Sequence, residues 1–88
     1  MKEFTFTISD PNGIHARPAG ILAEKMQTFT STITIIGDGK SCDGKKLFAL
    51  MKLRVKNGES MVLRAEGADE EAVVEAAKFV LTEHHLIG

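Results

Sequence analysis

The eight residues Gly13-Ile14-His15-Ala16-Arg17-Pro18-Ala19-Gly20 hold the side chains best suited to chemistry in this 88-residue chain. His15 stands just before a segment that reads as a helix, and Arg17 follows two positions later. Pro18 suits a first helical turn, where its missing N–H would have no partner anyway. A helix N-terminus offers unpaired N–H groups and a partial positive charge, which together favour a phosphate. The same partial charge favours the neutral form of an imidazole placed there, and a neutral imidazole is a nucleophile. A phosphoryl group accepted on the ring of His15 would lie among helix N–H donors. The planar fork of Arg17 would grip its oxygens and offset the charge that spreads over them during in-line transfer. Asn12, in the preceding turn, is a candidate for orienting the ring. A lone histidine is more often an ordinary surface residue; the turn glycine before it and the helix start after it set this one apart. The pattern is that of a phosphohistidine carrier.

The elements that position these residues alternate along the chain. Phe4, Phe6 and Ile8 alternate with Glu3, Thr5 and Thr7, the period of a half-buried strand. Asp10-Pro11-Asn12-Gly13 is turn chemistry. Ala16 to about Thr28 reads as a helix, with Pro18, Leu22, Met26 and Phe29 recurring at core spacing. The β-branched run Thr32 to Ile36 predicts a strand, and Gly37-Asp38-Gly39 predicts a tight connection to a short strand from Lys40 to Asp43. Lys46 to Leu53 predicts a short helix with Leu47, Leu50 and Met51 on one side. Lys56-Asn57-Gly58 is a turn, and Met61, Leu63 and Ala65 alternate with Val62, Arg64 and Glu66 as a last strand. Asp69 reads as the N-cap of a closing helix, with Glu70 and Glu71 in its first turn and Val73, Ala76, Ala77, Val80 and Leu81 as its apolar stripe. The order β-α-β-β-α-β-α, with a hairpin in the middle, predicts an α+β fold: one antiparallel sheet with helices on one face.

Composition narrows the function. The whole chain, residues 1–88, reads as one small domain with an ordinary apolar fraction of 43%. A formal net charge of -1, with no Tyr or Trp, argues against a nucleic-acid binder. Cys42 is the one cysteine, so no internal disulfide can form, which fits a reducing cytoplasm. The N-terminus lacks the apolar run of a signal peptide, and no stretch approaches the ~20 apolar residues of a membrane span. Cys42 itself reads as a small strand residue. His84 and His85 are adjacent near the end of the last helix and do not share a helix face, so no metal site is expected. No cofactor motif is present.

The segment Asn12-Gly13-Ile14-His15-Ala16-Arg17-Pro18-Ala19 resembles the active-site signature of the HPr family, the histidine phosphocarriers of the bacterial phosphoenolpyruvate-dependent sugar phosphotransferase system. Phe29-Thr30-Ser31, Gly39-Lys40-Ser41, Leu47-Phe48-Ala49-Leu50-Met51 and Ala65-Glu66-Gly67-Ala68-Asp69-Glu70-Glu71 fall where that family has similar segments, so the likeness covers essentially the whole chain. The resemblance implies an open-faced β-sandwich of four antiparallel strands and three helices. It implies phosphorylation of His15 at Nδ1 by phospho-enzyme I and onward transfer to sugar-specific enzyme IIA domains. Such a protein is a stoichiometric intermediate, a cytoplasmic monomer that turns nothing over alone.

The resemblance also implies a shared docking surface near His15. Ala16, Gly20, Leu47, Phe48 and Met51 are the candidates for its apolar patch, and Lys45, Lys46 and Lys52 for a charged rim that speeds encounter with acidic partners. Some of these residues must instead be core, because one side of so short a helix is buried. Position 46 departs from the pattern. Many family members carry a serine there that a dedicated kinase phosphorylates, whereas this chain has Lys46, which cannot accept that phosphate. The remaining alternatives are a carrier in a regulatory, nitrogen-type phosphorelay and a regulatory binding module of the same fold. Retention of the histidine without the serine argues against the second.

Overall fold

A computed structural model describes residues 1–84 and Ile87. Its elements follow the order β1 (Lys2–Thr7), α1 (Ala16–Met26), β2 (Thr32–Gly37), β3 (Lys40–Asp43), α2 (Leu47–Lys52), β4 (Ser60–Glu66) and α3 (Glu70–Glu83). The four strands form one antiparallel sheet in the spatial order β1-β4-β2-β3. β4 enters last and pairs with both β1 and β2, with Leu63 opposite Phe4 on one side and Ile35 on the other.

Period-two alternation gives the sheet a dry face and a wet one. Phe6, Ile33, Ile35, Met61, Leu63 and Ala65 point to the helices and are buried, while Glu3, Thr5, Thr7 and Thr32 face solvent. The helices cover only the dry face, α3 over β1 and β4, and α1 against both α2 and α3. Pro18, Leu22 and Met26 of α1 are buried as their spacing predicts, and Phe29 packs half-buried beyond the helix end. In α3 the buried stripe is Val73, Val74, Ala77, Val80 and Leu81; Ala76 is only half-buried and Val74 joins the core. The fold is therefore the open-faced sandwich expected.

Two details differ from the sequence reading, at the end of α1 and at Asp69. α1 stops at Met26 rather than near Thr28, because the Thr28 hydroxyl and N–H both turn back to the Lys25 carbonyl, at 2.6 and 3.1 Å, and tighten the last turn. Asp69 occupies the N-cap position of α3, but its side chain does not cap that helix. Instead one oxygen accepts from Thr30 N–H (2.9 Å) and Thr30 Oγ1 (3.2 Å). The other accepts from Ser31 N–H (3.0 Å) and the buried Ser31 hydroxyl. These bonds hold the Asp69 carboxyl down at about 2, the Ser31 hydroxyl being the largest cause and the Thr30 N–H the next. Finally, α3 ends at Glu83 with His84 at its C-cap; His85 lies outside the described residues.

Candidate functional site

The turn before α1 is built to hold one backbone path. Gly13 N–H donates to the Asp10 carbonyl at 2.9 Å, and Asn12 N–H donates to Asp10 Oδ1 at 2.7 Å. Ile14 N–H then donates to the Val55 carbonyl at 3.1 Å, pinning the turn to the segment that follows α2. Gly13 has φ +65°, and a Cβ there would sit 2.3 Å from the Val55 oxygen, so only glycine fits.

His15 leaves this turn as the N-cap residue of α1, with extended backbone (φ −113°, ψ 175°) and a side chain that makes no cap bond. Its carbonyl accepts the first helical bond, from Ala19 N–H at 3.1 Å. Among the described residues, the N–H groups of Ala16 and Arg17 have no acceptor, and Pro18 has no N–H to satisfy. The imidazole is 43% exposed, and its Nε2 stands 3.5 Å from Asp10 Oδ2. Contact at Nε2 leaves Nδ1 on the other side of the ring. By sequence Asp10 is a turn residue alone; in the structure its carboxylate also faces the imidazole. Asn12 is exposed, and among the described residues it reaches Asp10 through its backbone N–H rather than its side chain. Arg17 is exposed in the first turn of α1, and Pro18 is buried beneath it.

α2 packs beside α1 and carries the remaining candidates. Leu50 is its buried residue and Leu47 is half-buried; a Cβ added at Gly20 would stand 3.9 Å from both Leu47 methyls, so Gly20 serves helix approach. Phe48, at 75% exposure, and Met51, at 37%, face outward. Ala16, Lys46 and Lys52 are exposed as well. Lys45 does not belong to the expected rim. It is half-buried, its ammonium donates to the Phe29 carbonyl at 2.8 Å, and its own carbonyl accepts from Gln27 Nε2 at 2.8 Å. The lysine is consumed in tying α1's exit to the start of α2. Cys42 is half-buried on the helix side of β3 opposite Ile35, and burial followed by the Asp43 charge pushes its thiol up, away from reactivity.

Fold and site together define a class: a small open-faced α+β domain with a solvent-facing histidine at the head of its first helix. The model of the family described as "PTS HPr component phosphorylation site" matches residues 2–83. The phosphocarrier protein HPr of Mycoplasma pneumoniae is 38% identical over 88 residues, covering 99% of this chain and all of that protein. A solved mycoplasma histidine-containing phosphocarrier protein superposes with a TM-score of 0.96 at 34% identity, covering 98% of each chain. An HPr from Thermoanaerobacter tengcongensis, solved as a dimer, matches with a TM-score of 0.75 at 34% identity, over 97% of this chain and 98% of that one. The chain belongs to the HPr family of phosphocarriers.

Proposed function

We propose that His15 accepts a phosphoryl group from phospho-enzyme I at Nδ1 and passes it to enzyme IIA domains in sugar uptake. The observation that carries this reading is the exposed imidazole at the α1 N-cap, engaged through Nε2 by Asp10, beside the open Ala16 and Arg17 N–H groups. In the first step the donor's nitrogen–phosphorus bond breaks as one forms to Nδ1. The donor ring keeps the electron pair of the broken bond. In the second step His15 is the leaving group. Asp10, itself held by Asn12, orients the ring, and the Arg17 guanidinium grips the transferring oxygens.

His15 is solvent-facing, and a groove of about 400 Å³ between α1 and α3 lies further along α1, lined by Ile21, Glu24 and Phe79 among others. A carrier needs no pocket of its own, because the partner supplies the second wall and the second reacting group. Ala16, Phe48 and Met51, with Leu47 and Gly20 behind them, form the docking patch, and Lys46 and Lys52 its cationic edge. Small patches of this kind suit brief encounters with several partners. Among the described residues no helix is long and apolar enough to cross a membrane.

The test is intact mass after incubation with enzyme I and phosphoenolpyruvate, for wild type and His15→Ala. One acid-labile phosphoryl group on wild type alone supports the reading. A group on both proteins removes His15 from the mechanism.

A further inference from the structure

We propose that Arg54 is a second phosphoryl-gripping residue at the His15 site, acting from the side opposite Arg17. The inference rests on the reading of His15 as the phosphoryl acceptor. The chain has three arginines, and their partners differ. Arg64 is neutralised by Glu3, Nε to Oε2, at 2.6 Å. Arg17 and Arg54 are both exposed and, among the described residues, neither has a carboxylate partner.

Those two arginines lie on the two segments that meet beside His15. Arg17 is in the first turn of α1. Arg54 directly precedes Val55, whose carbonyl accepts from Ile14 N–H at 3.1 Å and excludes any side chain at Gly13. Arg54 is thus one residue, about 3.8 Å in Cα spacing, from the backbone contact that fixes the residue before His15.

The backbone at position 54 adds a second observation. Arg54 has φ +53°, a left-handed conformation that glycine adopts freely and a side chain adopts at a cost. The turn demands that conformation: Leu53 caps α2, and Arg54 N–H donates to the Met51 carbonyl at 3.2 Å to close it. A long cationic side chain is therefore held where the fold itself would prefer none. Backbone strain of this kind is tolerated where a side chain has a task.

That task follows from the charge to be met. A phosphoryl group on a ring nitrogen brings up to two negative charges and three oxygens. One guanidinium meets at most two of those oxygens along one edge. Two guanidinium groups set on either side reach all three and leave the face opposite the nitrogen–phosphorus bond open for in-line attack by the next acceptor.

The experiment uses the full chain phosphorylated by phosphoramidate, so that no partner protein contributes. In that step the phosphorus–nitrogen bond of phosphoramidate breaks, a bond to His15 Nδ1 forms, and ammonia leaves. Wild type, Arg54→Gly and Arg54→Lys are compared by phosphorus NMR titration and by the arginine Nε–H resonances. The expected result is that the Arg54 Nε–H signal moves on phosphorylation. The phosphoryl titration is expected to rise by about half a unit in Arg54→Gly, with Arg54→Lys between, because loss of a nearby cation disfavours the dianion. Arg54→Gly should melt no lower than wild type, since glycine relieves the positive φ, so misfolding does not explain the change. An unmoved Nε–H signal with identical titrations overturns the proposal. Failure of wild-type His15 to take up any phosphoryl group, from phosphoramidate or enzyme I, overturns the underlying reading and this inference with it.

Discussion

Asp10 Oδ2 lies 3.5 Å from His15 Nε2, across a turn that Asp10 itself closes through its carbonyl and its second carboxylate oxygen. One residue therefore shapes the loop and faces the ring that the loop presents. The two duties can be separated. Asp10→Asn keeps an oxygen for the Asn12 N–H and removes the charge; Asp10→Ala removes both. We expect Asp10→Asn to fold like wild type and to accept phosphoryl groups several-fold more slowly, on the order of 10-fold, because the ring samples more orientations. Asp10→Ala should in addition melt lower. Stopped-flow phosphorylation by enzyme I, alongside thermal melts, measures both; equal rates for wild type and Asp10→Asn would free Asp10 from any role at the ring.

Phe48 shows the opposite balance. At 75% exposure it gives the core little, so Phe48→Ala should leave stability within about 0.5 kcal/mol. If Phe48 anchors the proposed docking face, its loss should raise the KM for enzyme I by roughly 10-fold or more with kcat changed far less, because interface energy concentrates in such aromatic anchors. Steady-state kinetics with the carrier as varied substrate reads this directly. A fall in kcat at unchanged KM would place Phe48 in the transfer step instead.

Acid stability should depend on Asp69. Its carboxyl titrates near 2 in the folded protein, against about 3.9 in an unfolded chain. The unfolded state therefore binds the proton first. The stabilisation is complete above the unfolded value and is lost as pH falls through 4 towards 2. Glu70, held down first by the Met1 ammonium and then by the Gly67 N–H, pulls in the same direction. Asp69→Asn should melt lower than wild type at pH 7, by on the order of 5 °C, because an amide cannot accept from all four donors of Thr30 and Ser31. The two proteins should converge near pH 2. Parallel melting curves from pH 7 to pH 2 would show that Asp69 contributes nothing to the acid response.

Asp69 also marks where local reading of the sequence ends. The strands and helices were legible because period-two and helical spacings are local, and the glycine turns set their limits. Asp69 sits at an N-cap by position, as read, yet its carboxylate serves Thr30 and Ser31, whose place beside it depends on β2 and β4 pairing first. The same holds at the site. His15 and Arg17 were visible from their place at a helix start. Asp10 looked like one more turn residue until the turn brought it back to the ring, and Lys45 looked solvated until the exit of α1 met it. Arg54 carried no signal at all, since its left-handed backbone and its nearness to Ile14 arise only when α2 closes against the turn.

Lys46 supplies the last prediction. It is the N-cap residue of α2, exposed, with extended backbone (φ −116°, ψ 113°) and no side-chain cap bond, and no acidic residue follows in the first turn. A cation thus sits at the positive end of a six-residue helix whose first N–H groups lack a side-chain acceptor. Lys46→Ser places a hydroxyl where it can accept from the N–H of Phe48 or Ala49 and removes the unfavourable charge. The cap alone is worth about 1 kcal/mol. For a domain of this size that corresponds to a rise of roughly 5 °C in Tm. Amide exchange should slow most in Leu47–Lys52, because a cap acts on its own helix. Because α2 carries Phe48 and Met51, the same substitution also tests whether loss of a cationic edge outweighs a firmer helix. If Lys46 steers acidic partners, the stabilised variant should associate more slowly at low salt and match wild type at high salt. A variant that is more stable and equally fast at every salt concentration would confine Lys46 to the helix end.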